Sequence, residues 1–464
     1  MRLPRGSLVG IAAVAIGCSR WALRARFPDG YDAVGFLLAV DEFDVAKFQP
    51  HFPGYPVYVA LSRLAHLALA PLESAVFVSA LASAATAIGL FSIAARLSSR
   101  RAAWAAIALY AVAPMPFVLG GAALSDGTAA AIAVLAFAAL VEDSPAIGGA
   151  LMGLMLGARA SYFPLALSWI VLLWLFPEKR RGIVRALCGG AAGTLAWAVP
   201  FVAVVGARRI VELGTVHLEG HFGQWGGSVA TRPELLPRIH AFARDLAWDG
   251  IAPQWACLGA LAVACGIGFW LARPSGKGIK SALVVILPYG FWALFGQNVA
   301  EQPRHLLPLV LFALLGIGRL VSVRRGLAVV AIAAIAVAGL PRAIVHARTP
   351  PVAAQVARAV AASTGRQPLA VFGGKSIRTL HFLAPAISAF ERTWLSEVDV
   401  TLERLDVLPR RILVTSEVEA DRRRQARLRT VGTFCREPII DEEPPCLTLF
   451  EYDLWGGGRP PGGD

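Results

Sequence analysis

The densest group of ionisable side chains in this sequence lies in the stretch 29-DGYDAVGFLLAVDEFDVAKFQPHFPGYPVY-58. Five carboxylates and one imidazole fall within it: Asp29, Asp32, Asp41, Glu42, Asp44 and His51. A carboxylate at a membrane surface can deprotonate an acceptor hydroxyl while a phosphate leaves from a lipid-linked sugar. These residues therefore indicate general-base chemistry, and the competing interpretation is that they are solvated loop charges or helix caps.

The same stretch predicts how its carboxylates are positioned. The pattern AVGFLLAVDEFD at 33–44 is typical of an amphipathic helix on a membrane surface, with Asp32 close to its N-terminus. The proline-rich turn at 50–56 then folds the chain back toward the bilayer. The apolar run at 56–70 is too short to cross about 30 Å of hydrocarbon, so it predicts a helix at the interface.

Arg159 is a candidate for binding an anion. It lies in 156-LGARASYFP-164, a tight turn between two apolar segments. A charge at the edge of hydrocarbon is expensive and usually has a partner, and an arginine can bind phosphate through two parallel hydrogen bonds. The pattern indicates a phosphate site, while a snorkelling arginine or an ion pair with Asp126 explains it equally well.

The second candidate region is the polar loop at 207–250. His217 and His221 are four residues apart, so on a helix both would face one way and offer two ligands to a metal ion. Nearby glycines weaken a helix here, and contact with an acceptor remains the alternative. In that interpretation Trp225 supplies a ring for stacking on a sugar.

Composition places these residues in a multi-pass membrane protein. Of 464 residues, 56% are hydrophobic and 16% charged, and the mean hydropathy is +0.60. A soluble domain is usually about 25% charged. The net charge of +13 does not indicate nucleic acid, because the basic residues cluster in short runs between apolar segments, as cytoplasmic loops do.

The apolar runs predict about eleven transmembrane helices. They lie near 7–23, 73–95, 103–121, 127–141, 145–158, 160–177, 186–206, 251–272, 281–297, 304–322 and 326–345. With the N-terminus in the cytoplasm, the basic runs then fall on the cytoplasmic side. The loops 24–72 and 207–250 and everything after the transmembrane domain 1–345 are therefore predicted to lie outside.

The region 346–455 predicts a small exterior α/β domain. Strand-like runs occur at 368–374, 411–418 and 446–454, with a charged, helical stretch at 417–429. Cys435 and Cys446 can pair if this region is exported. The glycine- and proline-rich tail 456–464 is predicted to be disordered.

The acidic stretch also resembles a known family. Asp32 followed by PHFPGYP at 50–56 resembles the first exterior loop of the GT-C class of polyprenyl-phosphate-sugar glycosyltransferases, the superfamily of protein mannosyltransferases and aminoarabinose transferases. In that loop an acidic residue precedes a His-Pro-Pro-Gly-Tyr-Pro-like turn. Phe52 replaces the first proline here. The many spans, short basic inner loops and exterior C-terminal domain are similar to the family as well.

The resemblance implies roles at matching positions. Asp32 matches the catalytic base. Asp126, in 120-GGAALSDGT-128, matches a second acidic position, with an N-cap of the fourth span as the alternative.

Further residues are expected to contact the substrate. Arg304 and His305 resemble the basic position before a late span. Asp44, His51 and Tyr55 belong to the loop and its turn, where His51 either holds the loop or contacts the phosphate.

What the resemblance implies is an inverting hexosyl- or pentosyltransferase. It would move one sugar from a polyprenyl-phosphate carrier to a glycan, lipid or protein acceptor on the exterior face of the cytoplasmic membrane. No nucleotide cofactor is expected, and a divalent cation, Mg²⁺ or Mn²⁺, is left open. The alternatives are a transporter or lipid flippase, which would place ionisable residues in the middle of its spans, and a non-catalytic scaffold.

Overall fold

The computed structural model of the protein describes residues 5–224, 227–231, 233–272, 276–298, 302–363, 369–405, 409–440 and 444–454. The tail predicted to be disordered lies outside these residues. The chain divides into two compact units, Met1–Ala25 with Gly35–Arg348, and Arg26–Val34 with Thr349–Asp464.

The chain up to residue 348 is almost entirely helical. Its helices are α1 (Arg5–Ala22), α2 (Tyr31–Asp41), α3 (Pro56–His66), α4 (Pro71–Leu97), α5 (Arg100–Val112), α6 (Pro114–Leu119), α7 (Ser125–Val141), α8 (Pro145–Ala158), α9 (Phe163–Leu175), α10 (Pro177–Arg180), α11 (Ile183–Val205), α12 (Ala207–Gly223), α13 (Leu235–Arg244), α14 (Trp255–Ala272), α15 (Gly276–Gly296), α16 (Leu307–Val321) and α17 (Arg325–Arg348). Short 3₁₀ turns precede α9 and α16.

Several of these helices match the predicted spans. Among the described residues, six helical segments are long and apolar enough to cross a membrane: Pro71–Leu97, Ile183–Val205, Trp255–Ala272, Gly278–Gly296, Pro303–Val321 and the segment that begins at Arg325. Four shorter apolar helices accompany them. The span predicted at 103–121 is two helices, α5 and α6, because Pro114 and Pro116 lack the amide hydrogens that would continue α5.

Helix α2 differs from the amphipathic surface helix predicted at 33–44. The helix forms and Asp32 lies in its first turn, but Ala33, Phe36, Leu37 and Ala39 are each at most 1% exposed. Apolar residues cover more than one face, while the carboxylates lie at the two ends of the helix. Burial on several sides, rather than a position on a membrane surface, therefore fixes α2.

Helices α8 and α11 pack through glycines on both partners. A β-carbon added at Gly149 would overlap the carbonyl of Ala186, and one at Gly193 would overlap the carbonyl of Ala150. Small residues four apart let two helix backbones approach closely in a membrane, where van der Waals contact drives association. The pair leads directly to the turn that begins at Arg159.

The second unit contains a five-stranded sheet. Its elements are α18 (Val352–Ser363), β1 (Leu369–Gly373), α19 (Ser376–Leu383), β2 (Ser388–Glu391), α20 (Leu395–Glu403), β3 (Arg411–Thr415), α21 (Arg422–Gln425), β4 (Leu428–Cys435) and β5 (Cys446–Tyr452). The strand order is β2-β1-β3-β5-β4; β1 pairs in parallel with β2 and β3, and β5 is antiparallel to β3 and β4. The predicted small α/β domain is confirmed.

Alternation along the strands gives this sheet a core on each face. Val371 and Leu413 pack with α18 and α19 on one face, whereas Phe372 and Val414 pack with α20 on the other. The segment 26–34 belongs to the same unit. Asp29 accepts a hydrogen bond from Arg436 at 2.8 Å, with both side chains buried, and the Arg378 guanidinium lies 4.3 Å from the centre of the Tyr31 ring.

Two expectations from the sequence concern this unit. The charged stretch 417–429 was predicted to be helical, but it forms only the single turn α21, capped by Asp421, before β4 begins. A longer helix does not form because the backbone of Glu419 pairs with those of Thr393 and Leu395, and the stretch enters β4 at Leu428, which pairs with β5. Cys435 and Cys446 are joined in a disulfide between these two strands, as the sequence allowed.

The glycine packing predicts opposite effects for two substitutions in α11. Gly193→Ala should lower thermal stability by about 1–3 kcal/mol, because the added methyl forces α8 and α11 apart. Gly190→Ala is the matched control. Its β-carbon would lie 3.7 Å from the Gly149 carbonyl, an ordinary contact, and alanine favours helix over glycine. Thermal unfolding of purified protein in detergent tests this; equal midpoints for the two variants would contradict the packing.

The disulfide predicts the number of reactive thiols. The chain has six cysteines, and Cys18, Cys188, Cys257 and Cys265 are free. Protein denatured without reductant should react with thiol reagent at four positions, and at all six after reduction. The double variant Cys435→Ser, Cys446→Ser should react at four in both cases. Mass spectrometry counts the labels, and six labels before reduction would disprove the bond.

Candidate active site

Three predicted site residues meet at helix ends in the first unit. Asp126 lies in the first turn of α7, Arg159 ends α8, and Arg304 lies in the 3₁₀ turn before α16. The Arg159 Nη1 donates to Asp126 Oδ2 at 3.2 Å and to Ser125 Oγ at 3.2 Å. The Arg304 Nε lies 3.5 Å from the same Asp126 oxygen. Asp126 and Arg304 are fully buried and Arg159 is 4% exposed.

The ion pair settles one alternative for Asp126. Leu124, not an acidic residue, is the N-cap of α7, and no side chain caps this end. Asp126 instead forms ion pairs with the guanidinium groups of Arg159 and Arg304, so the N-cap interpretation is wrong. An acidic side chain in the first helical turn is also favoured by the helix dipole.

Asp126 Oδ1 and Arg159 Nε are buried polar atoms of this cluster that have no hydrogen-bond partner among the residues that the structure describes. A buried donor or acceptor without a partner costs roughly 1–3 kcal/mol, and more when the group is charged. A ligand that offers an anionic oxygen to Arg159 and a hydroxyl to Asp126 would remove that cost.

Tyrosine rings surround the arginine. The guanidinium carbon of Arg159 lies 5.9 Å from the centre of the Tyr55 ring and 5.8 Å from that of Tyr162. Tyr289 packs edge-on against Tyr162 at 5.5 Å and donates from its hydroxyl to the His305 carbonyl at 2.8 Å. The rings shield the charge from water while stabilising it through their faces.

The turn around residue 50 presents Tyr55 to this cluster. The Tyr55 hydroxyl and His51 Nε2 are 2.7 Å apart, and Tyr55 has a left-handed backbone with φ of 47°, a conformation that is costly outside glycine. Gly54 has φ of 87°. A β-carbon there would also lie 2.8 Å from the Phe201 ring, so this position requires glycine. Cis peptide bonds precede Pro50 and Pro53.

A row of three histidines extends from the turn. The His51 and His217 rings stack at 6.3 Å, and those of His217 and His221 at 6.2 Å with planes 8° apart. The His221 Nε2 lies 2.7 Å from the Gly296 carbonyl. The prediction that both histidines share one helix face is confirmed, because α12 forms despite its glycines. Burial, together with the neighbouring His51 and His221, lowers the pKa of His217 to about 4.

The site around Asp126, Arg159 and Arg304 does not fit a divalent cation. Among the described residues, no three His, Cys, Asp or Glu side chains come together as a metal site. The Asp126 carboxylate faces two guanidinium groups, and their positive charge opposes a cation at this position. No step of the chemistry is therefore assigned to a metal.

The remaining predicted residues lie elsewhere. Asp44 caps a 3₁₀ turn by accepting from the Ala46 amide at 3.0 Å, so it holds the chain that leads to His51. Asp32 belongs to the second unit, and Trp225 lies outside the described residues. The sequence analysis did not single out Ser125, Tyr162 and Tyr289. Each carries a hydroxyl group in an apolar segment, which is the signal that could have identified it. Ser125 stands beside Asp126, Tyr162 follows Arg159, and Tyr289 lies within α15.

The low pKa of His217 predicts a pH-dependent stability. A histidine in the unfolded chain gains its proton near pH 6.5, whereas folded His217 does so only near pH 4. The contribution of neutral His217 to the free energy of unfolding is therefore complete above pH 6.5 and is lost as the pH falls toward about 4. His217→Asn should reduce the fall in unfolding temperature between pH 7.5 and 5. His240→Asn, at an exposed position in α13, is the control. An equal fall in wild type and His217→Asn would contradict the assignment.

The chain is similar in fold to proteins of known structure. No family model matches the chain, and no curated protein matches it. An oligosaccharyltransferase of Archaeoglobus fulgidus, solved with a tethered acceptor peptide, superposes with a TM-score of 0.50 at 13% identity, over 89% of this chain and 69% of that one. ArnT of Cupriavidus metallidurans, solved with undecaprenyl phosphate, gives 0.46 at 14%, over 98% and 99%.

A second structure of the Archaeoglobus protein, in complex with zinc and sulfate, gives a TM-score of 0.47 at 12% identity over 87% and 67% of the two chains. Identities this low establish the fold and not the activity. The chain has a GT-C-like fold, which confirms the structural expectation drawn from the loop at 29–58.

Proposed function

We propose that this protein is a membrane glycosyltransferase that moves one sugar from a polyprenyl-phosphate carrier to an acceptor, with inversion at the anomeric carbon. The observation that carries the proposal is the buried cluster of Asp126, Arg159 and Arg304. Among the described residues, it combines a guanidinium nitrogen without a hydrogen-bond partner, Arg159 Nε, with a carboxylate oxygen without one, Asp126 Oδ1. The GT-C-like fold supports the same reaction class at a general level.

The arginines account for the leaving group. As the bond between the anomeric carbon and the phosphate oxygen breaks, negative charge grows on the phosphate. A guanidinium held in place by Asp126 and Ser125 stabilises that charge without reorganising. Arg159 donates the direct hydrogen bonds to the phosphate, and Arg304, which lies near the same Asp126 oxygen, adds a second positive charge.

The acceptor needs a base. In a single displacement the acceptor oxygen bonds to the anomeric carbon on the face opposite the departing phosphate, and its proton goes to a carboxylate. We assign that proton to Asp32, on the resemblance of its loop alone. Asp126, through Oδ1, would position the acceptor hydroxyl or the sugar.

The aromatic and histidine residues form the rest of the proposed site. Tyr55, His51 and His217 make one continuous set of ring contacts that starts beside Arg159, and His221 extends it. Rings and imidazole groups suit a sugar, since they offer apolar faces and polar edges. His305 follows Arg304 in the chain. Trp225 is still predicted to stack on the sugar.

Partners and location follow from the same proposal. The donor is a polyprenyl-phosphate-linked sugar from the bilayer, and the acceptor is a glycan, lipid or protein. The basic runs support a site on the exterior face of the cytoplasmic membrane, with the N-terminus inside. Of the neighbours in fold, one was solved with an acceptor peptide and another with undecaprenyl phosphate.

Donor turnover by purified protein tests the proposal. We expect free polyprenyl phosphate to be released from one member of a panel of polyprenyl-phosphate sugars, with an envelope extract as acceptor, followed by mass spectrometry. Asp32→Asn should lower kcat by about 100-fold or more with donor binding kept, as expected for loss of a general base. Arg159→Lys should lower kcat by about 100-fold and weaken donor binding, because the two parallel hydrogen bonds are lost.

Arg208→Lys is the matched control for Arg159→Lys. Arg208 is an exposed arginine of α12 paired with Glu212, so its replacement should leave turnover unchanged. Release that persists in Asp32→Asn would overturn the assignment of the base. If the protein binds a donor and moves it across vesicle membranes without releasing polyprenyl phosphate, it is a flippase and the proposal is wrong.

A further inference from the structure

A separate cavity lies at the opposite ends of the helices that carry the Asp126 cluster. It encloses about 560 Å³ and is bordered by the C-terminal ends of α4, α7, α9 and α16 and by the N-terminal half of α15. Asp126 lies in the first turn of α7, whereas Leu140, near its last turn, lines the cavity. At a rise of 1.5 Å per residue the two lie about 21 Å apart along α7. The cavity is therefore distinct from the candidate active site.

The interior of this cavity is apolar. Phe137, Leu140, Leu172, Val285 and Phe312 line it, and the rings of Phe137 and Phe312 meet edge to face at 5.2 Å. Apolar cavities of this kind hold water poorly. Hydrocarbon is the occupant that fits such a lining, because it removes apolar surface from water without burying a polar group.

Two helices that border the cavity expose apolar surface. Helices α9 and α15 contribute lining residues, and each also exposes large apolar side chains, Ile170 and Trp174 on α9, Leu283 and Leu287 on α15. Such exposed apolar side chains are suited to lipid contact, and α15 is also long enough to cross a membrane. An acyl chain can therefore reach the cavity from the bilayer without crossing water.

The rim of the cavity is basic. Arg96, Lys179 and Arg319 lie on it, with Glu178 as the acidic lining residue. Lys179 is bound to the carboxylate of Asp143. Within the described part of the chain, neither Arg96 nor Arg319 makes a salt bridge to a carboxylate. Two guanidinium groups at the mouth of an apolar cavity match a ligand with an anionic head and a hydrocarbon tail.

We propose that this cavity binds an anionic glycerophospholipid, with its phosphate at Arg96 and Arg319 and an acyl chain along Phe137, Leu172 and Phe312. Basic pockets between transmembrane helices bind lipid head groups in this way. The lipid comes from the leaflet at this end of the helices, because α9 and α15, which border the cavity, expose apolar side chains. A polyprenyl phosphate in the active site would have its phosphate at the other end of α7.

The experiment measures lipid-dependent unfolding of the full-length protein in detergent. Phosphatidylglycerol should raise the unfolding temperature by several degrees, and phosphatidylcholine should not, since only the former carries net charge. Arg96→Gln with Arg319→Gln should weaken phosphatidylglycerol binding roughly 20- to 30-fold, as expected for two basic groups at an anionic head. Arg100→Gln with Arg101→Gln removes the same charge from exposed positions outside the lining and should change nothing.

A second variant tests the cavity without touching its charges. Gly316 lines the cavity, and a β-carbon added there meets nothing within 4 Å. The Gly316→Leu variant should fold normally but should not bind phosphatidylglycerol, because the leucine side chain occupies the space of the acyl chain.

Four outcomes would overturn the proposal. They are equal stabilisation by both phospholipids, binding unaffected by the cavity variants, full stabilisation by inorganic phosphate alone, and displacement of phosphatidylglycerol by equimolar undecaprenyl phosphate. None of these measurements depends on transferase activity.

Discussion

The buried carboxylate of Asp126 holds together three segments of the first unit that are far apart in sequence. Both Arg159 and Arg304 direct a guanidinium at the same oxygen of this residue, and all three side chains are removed from water. Breaking a buried pair typically costs about 3–5 kcal/mol, because the remaining charge is left without compensation. The start of α7, the end of α8 and the turn before α16 are therefore held together by charge.

The backbone packing behind this cluster explains how the three helix ends come so close. Helices α8 and α11 touch through glycines, and α8 then ends at Arg159. The turn that carries His51 and Tyr55 is equally constrained, since Gly54 has no room for a side chain. Rigid elements on several sides position the polar groups, and such pre-organisation is what stabilisation of a developing charge requires.

The helix bundle is polarised along its length. At one end of α7 and α16 are the Asp126 cluster and the ring contacts, and at the other end lies an apolar cavity with a basic mouth. The two ends differ in chemistry because one is built from buried charge and the other from hydrocarbon. In the proposed function the first end handles a phosphate and a sugar, while the second interacts with the surrounding bilayer.

Local pattern determined much of the fold. Apolar runs long enough for a membrane gave most helices of the first unit, and alternation gave the strands of the small sheet, because both signals depend on residues close in sequence. The proline pair at 114 and 116 is also a local signal, and it explains why one predicted span is two helices. The helix predicted at 417–429 is reduced to one turn because backbone pairing of Glu419 with Thr393 and Leu395, which are distant in sequence, overrides the local preference.

The sequence by itself also marked the polar residues of the site, since a charge in an apolar segment is costly and needs a partner. It did not decide who the partners are. That one carboxylate serves two arginines, that Tyr55 faces Arg159, and that His51 stacks on His217 all depend on contacts between distant segments. Only the tertiary structure decided them, because the geometry of a buried charge is set by packing of the whole bundle rather than by its neighbours in the chain.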